Sequence, residues 1–178
     1  MIIVIGGTPG SGKSTAVELL AASHTLPVIS SGKIFRDEAV QRGMTLLEFS
    51  KYAQKNPSVD QELDKKVTQL VIEQGSSEDV IVDSRLQAYL LQREGAKFFA
   101  VHIDAPLHVR AKRVAEREAK PVGRAEKEIT ERERSEKSRY LKIYGIDIGD
   151  MSVYDLIVDS SDKSPEEVAD LIWSQVPR

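Results

Sequence analysis

The sequence contains no cysteine, which excludes a disulfide scaffold, a zinc-thiolate or iron-sulfur site and any thiol nucleophile. Nothing in it calls for an oxidising compartment. Long apolar runs are also missing. The first, Met1 to Ile5, stops at Gly6 and Gly7, and no later run approaches the roughly 18 residues of a membrane span. A cytoplasmic protein with no membrane partner is expected. Histidine is scarce, and His24, His102 and His108 show neither metal-ligand spacing nor support for Ser/His/Asp catalysis. Repeats, low-complexity tracts and linkers are absent, so disordered and fibrous classes fall away. The 178 residues, 40% hydrophobic and 30% charged, suit one globular domain, residues 1–178, with a single active site. A net charge of −3 gives no global bias toward nucleic acid. The distribution is uneven, however: Arg110 to Lys142 carries 12 basic and 7 acidic residues, a basic segment on an acidic body.

What is present is a series of short aliphatic runs alternating with helical patterns. Ile2–Ile5, Pro27–Ile29, Val80–Val82, Phe98–Ile103 and Leu156–Val158 read as strands buried on both faces. Helices are expected from Lys13 to about His24, and after Gly32 over Ile34, Phe35, Ala39 and Val40 as far as Gly43. Ser30, Ser31 and Gly32 are left as a turn. Capping-box spacings at Thr45/Glu48 and Ser58/Gln61 predict a short helix over Leu46, Leu47, Phe49 and Tyr52, and a longer one through Leu70 to Gly75. A further helix is expected around Leu86, Tyr89 and Leu90. Pro106, at a first helical position, opens a charged helical hairpin broken at Lys120–Gly123 and resuming from Ala125 to about Tyr144; Ser164, Pro165 and Glu167 open the last helix. The alternation implies an α/β fold, a parallel five-stranded sheet flanked by helices.

Gly7-Thr8-Pro9-Gly10-Ser11-Gly12-Lys13-Ser14 matches G-x-x-x-x-G-K-[ST] without mismatch, between a buried strand and a helix where the motif must lie. Its glycines let backbone N–H groups turn inward around a triphosphate, and the helix N-terminus adds partial positive charge. Lys13 is expected to bridge the β and γ phosphates, and Ser14, followed by Thr15, to ligate Mg²⁺. The motif predicts nucleotide binding and leaves the reaction open, because GTPases, motor ATPases and small kinases share it.

Downstream residues resemble those of nucleoside monophosphate kinases. Ser31-Gly32-Lys33-Ile34-Phe35-Arg36 is similar to the S-G-x-[IL]-[FY]-R segment of cytidylate kinases, and Asp83-Ser84-Arg85 to their D-G-R. The run Arg139-Tyr140, then Ile143-Tyr144-Gly145-Ile146-Asp147-Ile148 and Tyr154-Asp155-Leu156, resembles the archaeal type in particular. The resemblance spans Ile3 to Trp173. It departs from the family pattern at Ser84, where glycine is usual, and at Lys65 and Lys66, where arginines are usual.

The resemblance implies a P-loop kinase with a helical acceptor-binding insertion at about 30–75 and a hairpin lid at about 110–145, flexing at Gly123 and Gly145. It implies ATP as phosphoryl donor with Mg²⁺, and CMP or dCMP as acceptor. Ser31, Gly32, Arg36 and Arg85 would hold the acceptor, and Glu136 would contact the cytosine amino group. Asp83 would reach Mg²⁺ through water, and Arg113 would stack on the ATP base. Arg117, Arg132 and Arg139 would neutralise transition-state charge with Lys13; the four-residue spacing of Arg113 and Arg117, and the seven-residue spacing of Arg132 and Arg139, put each pair on one helix face. A monomer is expected. The alternatives are a related kinase acting on AMP, UMP or a small metabolite, and a regulatory NTP-binding protein contacting RNA. The hairpin's scarcity of aromatic residues beyond Tyr140 and Tyr144 speaks against a stable nucleic-acid partner.

Overall fold

All five aliphatic runs form strands, and all run parallel: β1 (Ile2–Gly7), β2 (Val28–Ser30), β3 (Val80–Asp83), β4 (Phe98–Asp104) and β5 (Leu156–Asp159), in the spatial order β2-β3-β1-β4-β5. The structure is a computed structural model and describes residues 1–177; the side chains of Leu46 and Leu47, expected on an apolar helix face, lie outside the described residues. Central strand β1 pairs Ile3 with Ile81 of β3 and with Phe99 of β4. Side chains alternate across a strand, so Ile2 and Val4 enter one core and Ile3 and Ile5 the other. The first core is closed by α4 (Pro57–Ser77) and α5 (Gln87–Arg93) through Val67, Val71 and Leu91; the second by α1 (Lys13–His24) and α8 (Pro165–Gln175) through Leu20, Val168 and Ile172. Each such side chain stabilises the fold by about 2 kcal/mol over its exposed state. Burial on both sides is the reason these strands read as continuous aliphatic runs.

Two helical units stand outside this sandwich. Between β2 and β3, α2 (Ser31–Gln41), α3 (Leu46–Lys55) and the first turns of α4 pack Ala39, Phe49, Ala53 and Val59 into a small core of their own, with Phe35 against Phe49 at 4.7 Å. Between β4 and β5, α6 (Leu107–Arg117) and α7 (Val122–Tyr144) join through Ala111, Val114, Ala115, Ala125 and Ile129. Lys120 stitches the bend of that hairpin to Glu118 (2.6 Å) and Glu128 (2.5 Å).

Helix ends differ from expectation in four places. Ser58 does not cap α4; Asn56 holds the cap position and Pro57 is the first helical residue, because its fixed φ suits that place and no N–H is needed there. Pro106 stands one residue earlier than expected, at the cap of α6. Ser31 and Gly32 form the first turn of α2, with the Ser30 hydroxyl accepting from Lys33 N at 3.3 Å. Gly123 is inside α7, and the hairpin bends at 118–121. The capping boxes at Thr45/Glu48 and Ser164/Glu167 form as expected.

Helix α4 continues past Gly75, which crosses β1 so closely that a Cβ there would stand 2.8 Å from Ile2 Cδ1 and nearer still to Cγ1. Gly75→Ala should therefore destabilise the protein by about 1 kcal/mol in urea unfolding. Overpacking costs 1–3 kcal/mol and outweighs the ~1 kcal/mol gain in helix propensity.

Candidate active site

The C-terminal ends of β1 and β3 open into one cleft of 880 Å³, the position at which open parallel sheets bind ligands. Its floor is the loop from Gly7 to Gly12, running into α1. Gly10 (φ 83°) and Gly12 (φ 89°) lie in the left-handed region, and a Cβ on Gly10 would meet the Arg110 carbonyl at 2.9 Å. The loop is tied down on its far side: Thr8 N donates to Ile103 O (3.2 Å), Thr8 Oγ1 donates to Asp104 Oδ1 (2.6 Å), and Ser160 Oγ donates to Ser11 O (2.8 Å). Ser11 Oγ is buried and finds no hydrogen-bond partner among the described residues.

Lys13 reaches from the first turn of α1 to Asp83 at the end of β3, and Ser30 Oγ donates to the other carboxylate oxygen of Asp83 at 3.1 Å. Burial, with Arg85 and Arg132 nearby, presses the Lys13 ammonium down to about 7, and the Glu136 carboxylate opposes that shift. Ser14 and Thr15 line the cleft beside it. No cluster of three or more His, Asp or Glu side chains that could hold a metal occurs among the described residues. The Ser14 hydroxyl and Asp83 carboxylate do offer hard oxygen donors of the kind Mg²⁺ takes.

Ser31, Gly32 and Arg36 line the same cleft from α2, and Arg36 packs over Gly32 with no ion pair among the described residues. Arg85, at the end of β3, donates from Nε to Gly7 O (2.9 Å) and pairs through Nη1 with Glu136 of α7. Glu136 accepts on its other oxygen from Arg132 Nε at 2.9 Å. Burial pushes the Glu136 carboxyl up, but the two arginines together overcome this and hold it below the usual carboxylate range. Glu136 is thus the clasp between two cations, with both oxygens taken.

Among the other expected residues, Arg113 lines the cleft and is fixed to the β5–α8 loop by Nη1 on Ser160 Oγ (3.0 Å) and Nη2 on Ser160 O (2.6 Å). Arg117 lines the cleft, exposed, beside Glu118. Arg139 is not in the lining; its Nε stands 3.7 Å from Asp60 of α4 and its guanidinium lies over Tyr140. The seven-residue spacing is within about 20° of two full helical turns; along that face Arg139 meets Asp60 and Arg132 meets Glu136.

Several functional positions escaped the sequence reading. Ser160, Lys163, Pro165 and Val168 close the cleft beside Arg113; the carboxyl-end rule for strands would have pointed to this loop after β5. Asp64 and Tyr140 also line the cleft. Arg110, hidden under the loop, donates to Ala105 O (2.7 Å), Pro9 O (3.2 Å) and Glu133 Oε1 (2.7 Å), joining β4, the phosphate loop and α7. It carried no motif signal distinct from its basic neighbours.

The pattern of the cytidylate kinase-like family matches residues 2–162. The chain belongs to that family. A cytidylate kinase of Methanocaldococcus jannaschii is 40% identical over 177 residues, covering 99% of this chain and 97% of the relative. One of Pyrococcus furiosus is 40% identical over 176 residues, covering 99% and 88%. Among solved structures, the shikimate kinase of Aquifex aeolicus superposes with a TM-score of 0.56 at 22% identity, covering 99% of this chain and 96% of that one, a likeness of fold. Within this P-loop kinase fold, Arg110 is a structural hub. Arg110→Ala should cost about 2 kcal/mol in urea unfolding, since two carbonyls and the part-exposed Glu133 lose a charged donor. Glu133→Gln, which keeps an oxygen acceptor, should cost under about 1 kcal/mol.

Proposed function

We propose that the chain is a nucleoside monophosphate kinase that transfers the γ-phosphoryl group of ATP to CMP or dCMP, giving ADP and the cytidine diphosphate. The observation that carries this reading is that a single cleft is lined by the phosphate loop and Lys13, by Arg36 of α2, and by Arg85, which stands beside the loop. An acceptor phosphate held by Arg36 and Arg85 faces a γ-phosphate held by Lys13. The relatives named cytidylate kinase, alike over nearly the whole chain, support the choice of acceptor.

An oxygen of the acceptor phosphate attacks the γ-phosphorus, the bond to the β,γ-bridging oxygen breaks, and its electron pair leaves on ADP. The attacking group is already an anion, so no general base is required. The protein's task is alignment and charge neutralisation. Lys13 and Arg132 stand where the transferring group passes, with Arg117 at the mouth; as phosphates enter, Glu136 yields Arg85 and Arg132 to them. Arg139, turned toward Asp60, holds α7 against α4. Arg113 with the Ser160–Val168 edge forms the donor-base pocket, and the α6–α7 hairpin is the lid. Mg²⁺ accompanying ATP would be held near Ser14, with Asp83 reaching it through water, and would neutralise charge on the β and γ oxygens.

The direct test is a panel of nucleoside monophosphates assayed for ATP-dependent diphosphate formation, with CMP and dCMP expected to give the highest kcat/KM. No stimulation of ATP turnover by any of them overturns the assignment. Lys13→Ala should abolish detectable transfer with an unchanged thermal melt. Arg36→Ala should raise KM for CMP at least tenfold and leave KM for ATP within about threefold, because a charge-assisted contact is lost on one substrate only. Arg132→Ala should lower kcat about 10²-fold with little change in either KM, the size of loss expected for one preorganised charge-stabilising donor.

A further inference from the structure

We infer that Asp64, beside the Tyr140 ring, reads the acceptor base: its carboxylate takes the exocyclic amino group of cytosine and repels the carbonyl that uracil carries at that position. The inference rests on the kinase reading above and names the residue that sets its base preference. Five carboxylates line the cleft: Asp64, Asp83, Glu118, Glu128 and Glu136. Four are engaged by cations, Asp83 by Lys13, Glu136 by Arg85 and Arg132, Glu118 by Arg117 and Lys120, and Glu128 by Lys120 and Arg124. Asp64 has no ion-pair partner among the described residues. Its Oδ2 accepts from the Tyr144 hydroxyl, and its Oδ1 has no hydrogen bond among them.

The position suits a base reader. Asp64 is on α4, in the same helical insertion that presents Arg36, and Thr68 Oγ1 donates to its backbone carbonyl at 2.8 Å. Tyr140 is the one aromatic side chain in the lining among the described residues, a flat face for a base to stack on. Burial pushes the Asp64 carboxyl up to about 6, against the pull of Tyr144; as a carboxylate it only accepts. An acceptor-only group in a half-buried wall gains a hydrogen bond from an amino group and meets a carbonyl as like against like. Glu136, the residue the family resemblance had suggested for this task, stands between Arg85 and Arg132, the cations assigned to the phosphates, and before they enter both its oxygens are taken.

The experiment measures kcat/KM for CMP and UMP with wild type, Asp64→Asn and Glu136→Gln, with a thermal melt of each. In Asp64→Asn the Tyr144 hydroxyl still meets the side-chain oxygen and the amide N–H₂ faces the base, so the CMP/UMP ratio should fall about 100-fold. Glu136→Gln should lower turnover of both nucleotides and leave the ratio within threefold. A ratio unchanged in a folded Asp64→Asn protein, or one that collapses in Glu136→Gln, overturns the inference. Should Asp64→Asn fail to fold, Asp64→Glu displaces the carboxylate while keeping its charge, and a ratio that falls less than threefold is the overturning result. A wild type active on CMP but indifferent to Asp64 removes the inference alone. A wild type inert toward every cytidine nucleotide removes the kinase reading with it.

Discussion

Lys13, Arg85 and Arg132 converge on one partly buried space, and the arrangement of the site follows from the cost of keeping like charges there. Without ligand that repulsion is answered from within: Asp83 lies against Lys13, and Glu136 sits between Arg85 and Arg132. In the proposed function these carboxylates hold the places that phosphate oxygens would take. Binding is therefore an exchange of anions around a fixed set of cations, and the cations need not be assembled from solution when substrate arrives. Preorganised charge of this kind is worth most where water is excluded.

The exchange has a mechanical side, because the participants belong to different parts of the fold. Lys13 stands on α1 and Asp83 on β3, both parts of the sheet body, whereas Glu136 and Arg132 ride on α7. Breaking the Arg85–Glu136 pair in favour of phosphate alters what holds the hairpin over the sheet. The hairpin and the α2–α4 insertion each have a small core of their own, and each is also tied to the first main core, through Tyr140 and Tyr144 of α7 and through Ile34, Val67 and Val71. Arg110 remains the fixed point, bonded to the phosphate loop, the end of β4 and Glu133 of α7 from a position closed to solvent. The phosphate loop and the helix that carries Arg132 are thereby referred to one buried side chain.

Much of this architecture was legible in the residues because its causes are local. A strand buried on both faces must be continuously aliphatic, and a loop that wraps phosphate must carry glycine at the positions of positive φ. Ile2–Ile5 followed by Gly7–Ser14 therefore declares both at once. The errors arose where two local signals competed. Ser58 and Gln61 had capping-box spacing, but Pro57 sits immediately before them and a proline at the first helical position takes precedence. Helical spacing puts Arg132 and Arg139 on a common face but says nothing of their neighbours, which are Glu136 for the first and Asp60 for the second.

By itself the sequence determined the order of strands and helices, the phosphate-binding loop and the set of cations available for phosphoryl transfer, since each depends on residues adjacent in the chain or spaced by one helical period. Tertiary structure decided which carboxylate is bound to which cation. Glu136 and Asp64 are both acids on long helices with basic neighbours in sequence, and no periodicity distinguishes them. Packing α7 over the end of β3 places Arg85 against Glu136, while packing α7 beside α4 gives Asp64 a tyrosine hydroxyl and, among the described residues, no ion pair. A charged side chain's role is set by what stands within a few ångströms of it, and across elements that distance is defined only once the chain has folded.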